Sequence, residues 1–410
     1  MGNKEEEARS LIEKDAKYLA AIKPDPKVPL IIESGHGIFV KDIFGNEFYD
    51  FTAGISVNNL GHSHPKILEA ILEQAQKILH VYPFGTYITK PQVELAELLA
   101  KITPGRLSKT FPCNSGAEAI EGSIKLARKY TMKTELIACK RAFHGKTLGA
   151  LSITAREIYR KPFEPLLPEC TFIPFGDTSA LEDAITEKTA AFIVEPIQAE
   201  AGIIVPPDEY LPEVQKICDE HDILLIFDCI QTGFGRTGKM FAAEHWNVAP
   251  DIMALGKALT AGACPVGAFI SKPEIMDAFR WPPLSHTTTY GGHSLVCVAG
   301  KACIETLIAE KLHERAADVG SHFKKQLLEL QSEFPEILKE VRGKGLLLGL
   351  VFAHTGFADS FVSLCRKQGV LVTWSINAAN VVRISPPLIV AKEQVNEVVS
   401  KFVEILKQLT

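Results

Sequence analysis

The sequence predicts an α/β protein: a mostly parallel sheet covered by helices, joined to a smaller α+β unit built from both chain ends. Three observations predict it. Between about residues 90 and 280, short apolar runs alternate with longer amphipathic ones, the pattern of strands connected by helices. Several of those runs are apolar throughout, as strands covered on both faces require. Beyond Trp281-Pro282-Pro283 the pattern changes to two long helical stretches, then strand-like segments interleaved with helices.

Taken in order, Ile38-Phe39-Val40 and Glu47 to Phe51 around Phe44-Gly45-Asn46 read as a hairpin. A helix runs from His64-Pro65 to about Leu79, with Ile67, Ala70, Ile71 and Ala75 on one face. Strands are expected at Leu136 to Ala138, Thr171 to Ile173, Ala191 to Val194, Leu224 to Phe227, Ile252 to Leu255 and Val266 to Ile270. A helix from about Ser294 to Leu312 leads to another ending near Gln331. Strands at Gly345 to Phe352, Gly369 to Thr373 and Val381 to Ile384 follow, and a last helix runs from about Lys392 to Leu409. The chain thus divides into residues 1–70, an N-terminal arm and hairpin of the smaller unit, 71–290, the large unit, and 291–410, the rest of the smaller one.

Composition narrows the function. The chain has 410 residues, 46% hydrophobic and 23% charged, enough to bury a large core. A net charge of −5 gives no basic face for nucleic acid or an anionic membrane. No uninterrupted apolar run nears membrane-spanning length. Met1 to Lys17 is crowded with Glu and Lys and lacks the apolar stretch of a secretory signal, and Glu6 stands where lipidation of Gly2 wants Ser or Thr. Nine cysteines, an odd number with no CxxC pair, argue against a metal or disulfide framework and for a reducing cytoplasm.

Two residues stand at the ends of predicted parallel strands, where open α/β sheets place their ligands. Asp228 closes the run Leu224 to Phe227, and Lys257 follows Ile252 to Leu255 after one glycine. A pyridoxal phosphate site needs such a pair, a lysine to bond the cofactor and an acid to keep its pyridine nitrogen protonated. On spacing alone a salt bridge or two unrelated charges is the stronger reading. Phe111 to Ala117 precedes a clear helix, and its small residues suit an anion at a helix start, though Asn and Ser are ordinary caps there. Gly233 to Gly238 fits G-x-G-x-x-G, but four residues separate it from the strand, no long helix follows, and Asp251 precedes a strand. It reads as a close-packed loop, not a dinucleotide site. His62 and His64 lack companions of metal-ligand spacing, so a loop and helix-start role is expected.

These motifs, in their order, resemble the class III, fold-type I pyridoxal 5′-phosphate aminotransferases, from about Asp42 to the last helix. Acetylornithine, ornithine, 4-aminobutyrate and putrescine aminotransferases are members. The resemblance implies Lys257 as the cofactor-bonding lysine in Ala254-Leu255-Gly256-Lys257. It implies Asp228 for the ring nitrogen and Gln231 for the phenolic oxygen. Asn114-Ser115-Gly116-Ala117-Glu118 is similar to the phosphate loop, implying Ser115, Gly116 and Ala117. Ala142-Phe143-His144-Gly145-Lys146 implies Phe143 over the ring with His144 beside it. His286 to Gly292 resembles the segment whose threonine, here Thr289, reaches a neighbouring subunit's phosphate, so a homodimer with shared sites is expected.

For substrate, the resemblance implies Arg383 as carboxylate binder, Glu200 as the acid that masks it, and Ile55, Phe84 and Lys146 as pocket residues. Longer strings such as Phe143 to Ser152 and Arg160 to Phe163 resemble the putrescine branch. The expected donor is therefore an ω-amine, diamine or ω-amino acid, with 2-oxoglutarate as acceptor in ping-pong turnover. Acetylornithine, ornithine or 4-aminobutyrate comes next, and a racemase or aminomutase on the same scaffold is the alternative of another class. Two departures stand out: Cys229 replaces the family's usual Glu, and His293-Ser294 its usual Asn-Pro.

Overall fold

A computed structural model describes residues 2–20, 29–85 and 87–410; parts of the expected N-terminal arm, residues 1 and 21–28, lie outside it. Chain order gives strands β1 (Ile32–His36), β2 (Phe39–Asp42), β3 (Glu47–Asp50), β4 (Lys109–Cys113), β5 (Glu135–Cys139), β6 (Cys170–Ile173), β7 (Thr189–Val194), β8 (Leu224–Asp228), β9 (Ile252–Gly256), β10 (Gly267–Ser271), β11 (Leu338–Lys344), β12 (Leu347–Phe352), β13 (Val370–Leu371), β14 (Thr373–Ser375) and β15 (Ala378–Ile384).

The large unit is built on a seven-stranded sheet in the order β4-β10-β9-β8-β7-β5-β6. β5 to β9 pair in parallel, while β10 runs antiparallel to both β9 and β4. Every residue of β7, β8, β9 and β10 is buried, which is why these runs are apolar without alternation. Sequence reading missed β4, whose Lys-Thr-Phe-Pro-Cys is short and carries a proline. β4 is an edge strand, where a residue without an N–H is tolerated.

The small unit holds an antiparallel sheet, β11-β12-β15-β14, with helices Leu312–Glu333, Thr355–Lys367 and Lys392–Lys407 packed around it. β11 was also missed; it is an edge strand whose exposed positions are charged, the usual guard on a free edge. The N-terminal hairpin reaches this unit through β3, which pairs in parallel with β13 at Tyr49↔Val370 and Asp50↔Leu371. Both chain ends therefore build it, as the sequence led us to expect. Helix Ser294–Ala309 packs on helices Pro65–Ala75 and Lys90–Ile102.

The glycine-rich segment Gly233 to Gly238 is a loop, and its Arg236 is fully buried. That guanidinium donates to the carbonyls of Leu346 and Pro386 and to Asn59 Oδ1, tying three separate chain segments to the loop. His62 holds Asp50 at 2.8 Å, and His64 is the residue before the first turn of helix Pro65–Ala75, so both serve loop and helix start.

Arg236→Met would leave three buried acceptors without their donor. It should cost at least about 3 kcal/mol, since hydrogen bonds to charged groups are each worth about 1.5–3 and burial of the guanidinium offsets part of their sum. Urea unfolding of wild type and variant measures this, and an unchanged midpoint would remove Arg236 as the tie between the units.

Candidate active site

The carboxyl ends of β7, β8 and β9 deliver Glu195, Asp228 and Lys257 to one edge of the sheet. β4 leads at the same edge into Ser115, the cap of helix Gly116–Thr131, whose hydroxyl accepts from the Glu118 N–H. With that donor capped, the N–H groups of Gly116 and Ala117 are the orphans of the first turn and carry the positive end of the helix dipole. β10 begins here with Gly267, where a side-chain Cβ would sit 2.0 Å from the Ser115 carbonyl oxygen. Only glycine lets the strands close on the cap this tightly.

A cavity of about 310 Å³ opens at this edge. Of the residues expected at the site, Gly116, Ala117, Phe143, His144, Lys146, Asp228, Gln231 and Lys257 line it. Ser115 works behind it as the cap. Lys257 stands in the left-handed region at φ 45, and its amine donates to Gln231 Oε1 at 2.6 Å. Strained backbone on a lysine persists only where the surroundings hold it, as at functional sites.

Asp228 Oδ2 lies 2.8 Å from His144 Nδ1, both side chains being buried. Its Oδ1 accepts from the Ile230 N–H at 3.0 Å. Glu195, which sequence reading passed over, also lines the cavity and accepts from the Phe143 N–H at 3.3 Å. Burial, then the charge of Asp228, pushes its carboxyl well above the usual carboxylate range. Glu195 follows an apolar strand just as Asp228 ends one, and that placement was the available signal.

Burial pulls the Lys257 amine down from 10.5 to about 8, against the carboxyls of Glu200, Asp228 and Glu195 and with help from Arg383. Such a lysine is a usable base near neutral pH. Glu200 and Arg383 do not line the cavity. They form a buried ion pair beside it, with Glu200 Oε2 also accepting from the Ile376 N–H at 3.0 Å. Burial would raise the Glu200 carboxyl, but Arg383 and Lys257 hold it below its ordinary value. Lys146 is exposed at the cavity wall, with its amine 4.4 Å from the Tyr159 ring centre.

Three expected residues stand apart. Ile55 is 46% exposed in a turn of left-handed residues held by Asp50, whose Oδ1 accepts from Thr52 and Ala53. Phe84 stacks on Phe111 with ring centres 4.7 Å apart. Thr289 is exposed, while its neighbour Thr288 accepts from Asn114 at 2.8 Å.

The arrangement suits a flat, anionic, polar cofactor. His144 Nε2 and Gln231 Nε2 are buried around the cavity and find no hydrogen-bond partner among the described residues. Buried polar atoms need partners, so two orphans around one cavity mark a site built for a polar guest.

Residues 21–406 match the family model described as aminotransferase class-III. The chain belongs to that family. Among its relatives, the acetylornithine aminotransferase of Methanosarcina acetivorans is 44% identical over 391 residues, covering 95% of this chain and 94% of that one. Of solved structures, the ornithine aminotransferase of Toxoplasma gondii superposes with a TM-score of 0.91 at 32% identity, covering 98% of this chain and 95% of that one. An (S)-enantioselective omega-transaminase from Thermomicrobium roseum gives 0.92 at 30%, covering 98% and 99%. This class III aminotransferase therefore stands nearer the acetylornithine and ornithine reading, placed second from sequence, than the diamine reading placed first. The strings shared with the putrescine branch surround the cofactor motifs, and such motifs report the common chemistry better than the donor.

Lys257 makes the stability of the cofactor-free protein depend on pH. Folded, its amine releases a proton near pH 8; unfolded, near 10.5. Between those values the unfolded chain binds more protons, so this residue's contribution to stability rises with pH. Urea midpoints measured from pH 8 to 10.5 should climb less in Lys257→Met than in wild type. Parallel curves would show that the amine is not buried as described.

Proposed function

We propose that this aminotransferase uses pyridoxal 5′-phosphate and moves the amino group of N-acetylornithine or ornithine to 2-oxoglutarate. The observation that carries the reading is the single cavity holding Lys257, the Asp228–His144 pair and the orphaned Gln231 amide. Bound there, the cofactor supplies an electron sink for the bonds at the substrate's amino carbon.

The chain's own residues do the rest. Lys257 would hold the cofactor covalently until a donor amine displaces it. Near neutral pH the freed lysine amine would take the proton from the substrate's amino carbon and later give it back as an acid, the bound cofactor holding the electron pair meanwhile. Asp228, fixed by His144, keeps a proton on the ring nitrogen. Gln231 Nε2 is the donor for the phenolic oxygen, the N–H groups of Gly116 and Ala117 take the phosphate, and Phe143 offers an aromatic face.

Arg383 is the binder for an acceptor carboxylate, and Glu200 occupies it when the donor brings none to that end. A guanidinium fork suits the exchange because Glu200 meets Arg383 through Oε1 alone, and Arg383 Nε, without a hydrogen-bond partner among the described residues, is left for an incoming carboxylate. Lys146 supplies a cation at the cavity wall for the donor's α-carboxylate. The curated relatives, acetylornithine aminotransferases matching along nearly the whole chain, support this donor over a diamine.

A homodimer completes the reading. Tyr87, Ile88, Trp281, Leu284 and Tyr290 are large, apolar and more than half exposed; His80 against Tyr290, ring centres 4.9 Å apart, draws two of these segments together. Such surface on a folded chain supports an interface, and exposed Thr289, next to Tyr290, is the residue we assign to a partner's site. No helix among the described residues is long and apolar enough to cross a membrane; the proposed setting is the cytoplasm.

Lys257→Ala should lose the lysine-bound cofactor's absorbance band and fall at least about 10³-fold in turnover, the scale of a positioned acid–base group. A donor panel of N-acetylornithine, ornithine, putrescine, cadaverine and 4-aminobutyrate, each with 2-oxoglutarate and read as glutamate formed, tests the substrate. N-acetylornithine or ornithine should lead putrescine by at least about tenfold in kcat/KM, a difference of 1.4 kcal/mol. Putrescine in the lead would overturn the donor assignment. Isomerised substrate without glutamate would overturn transamination.

A further inference from the structure

A second concave site lies away from the cofactor cavity, between the loops of the large unit and β11 of the small sheet. It is a groove of about 390 Å³ walled by Arg141, Lys324, Arg342 and Lys344, with Glu340 the one carboxylate among its lining. Arg342 holds Glu340 at 2.6 Å. Arg141, Lys324 and Lys344 have no salt-bridge partner among the described residues. On a chain whose net charge is −5, this is a concentrated reversal of sign.

The cations are not loose surface chains. Lys324, Arg342 and Lys344 are half-buried. Arg141 donates to the Ala201 carbonyl at 2.6 Å and Arg342 to the Gly202 carbonyl at 3.3 Å. Lys324 donates to the Gly343 carbonyl at 3.0 Å, and the Lys344 amine lies 5.5 Å from the centre of the Trp246 ring. Each head group is thus held in place with further N–H donors to spare, the preorganisation that makes anion binding favourable.

We propose that this groove binds a small multivalent anion, and that its occupancy acts on the Glu200–Arg383 pair. The crowding of like charge supports the first half. Burial, then Arg342 and Arg156, lowers the Arg141 guanidinium; burial, then Lys344, lowers the Lys324 amine. An anion among them relieves that repulsion.

The second half rests on connectivity. Ala201 and Gly202, whose carbonyls Arg141 and Arg342 hold, directly follow Glu200. On its other side the same loop is fastened to the small unit through Asn377 N–H to Glu200 O at 2.8 Å and Ser375 to Ala199 O at 3.3 Å. An anion gripping the spare donors of the two guanidinium groups pulls, through the bonds they already make to those carbonyls, on the backbone behind them. It therefore shifts the segment that carries the mask on Arg383.

The test uses the holoenzyme, so that the cofactor's own phosphate site is filled. Calorimetric titrations with inorganic pyrophosphate and, separately, citrate distinguish a phosphoryl from a polycarboxylate preference. At least one should bind, more weakly as salt rises, and at least about tenfold more weakly in Lys324→Gln/Lys344→Gln, which removes two charges and keeps polar, unbranched side chains. Binding of neither, or equal binding by the variant with its thermal midpoint unchanged, overturns the site. If the variant unfolds, Arg342→Gln replaces it under the same criterion. Hydrogen exchange across residues 199–204 should change when the anion binds. Binding that leaves this exchange untouched overturns the coupling.

Discussion

An amine buried among three buried carboxyls and a guanidinium is the constraint on which the rest of this enzyme depends. Lys257, Asp228, Glu195, Glu200 and Arg383 sit close enough that each bears on the charge of another. Taking such groups out of water costs several kcal/mol apiece unless each is paired or neutral. The site meets this case by case. Glu200 has Arg383 and Asp228 has His144. Glu195 has neither, and its carboxyl is driven toward the neutral form. Lys257 has no such single partner, and burial pulls its amine down to about 8.

Holding that cluster demands rigid supports from distant parts of the chain. Asp228, Lys257 and Glu195 come from wholly buried parallel strands, but Arg383 comes from β15 of the small sheet. The Glu200–Arg383 pair is therefore also a joint between the two units, and Arg236 is a second joint nearby. Breaking a buried pair from one side leaves an uncompensated charge, so these contacts penalise any displacement of one unit against the other. The proposed carboxylate binder is thus also an architectural residue: the guanidinium assigned to substrate is one of the contacts that join the units.

The legible and illegible parts of this molecule divide on physical grounds. The buried strands of the large sheet were readable because burial on both faces forces unbroken apolar runs, and the strand-end residues Asp228 and Lys257 stand out against them. β4 and β11 were not readable, since an edge position relaxes that demand and admits Pro112 in one and alternating charge in the other. Glu195 was missed although its setting repeats that of Asp228, because a carboxyl without an obvious partner reads as surface. The pairing of His144 with Asp228, 84 residues apart, is a property of the folded sheet and has no local signature. Donor identity was the least legible, because the strings that favoured a diamine belong to the cofactor's surroundings.

Cys229, the departure from the family pattern beside Asp228, takes its meaning from the same electrostatics. It is fully buried; its N–H donates to the Ala254 carbonyl and its carbonyl accepts from Gly233, so the backbone here locks β8 to β9 whatever the side chain. A glutamate at this position would add another carboxyl to a region that already holds three, and it would need a cation or several N–H donors to stay ionised. Burial, then the charge of Asp228, pushes the Cys229 thiol far above its ordinary range, so it contributes no charge. The substitution therefore leaves Asp228 as the one ionisable acid at the end of β8. The charge of Asp228 then bears on Glu195 but on no second carboxyl of its own strand end, and His144 remains its side-chain partner.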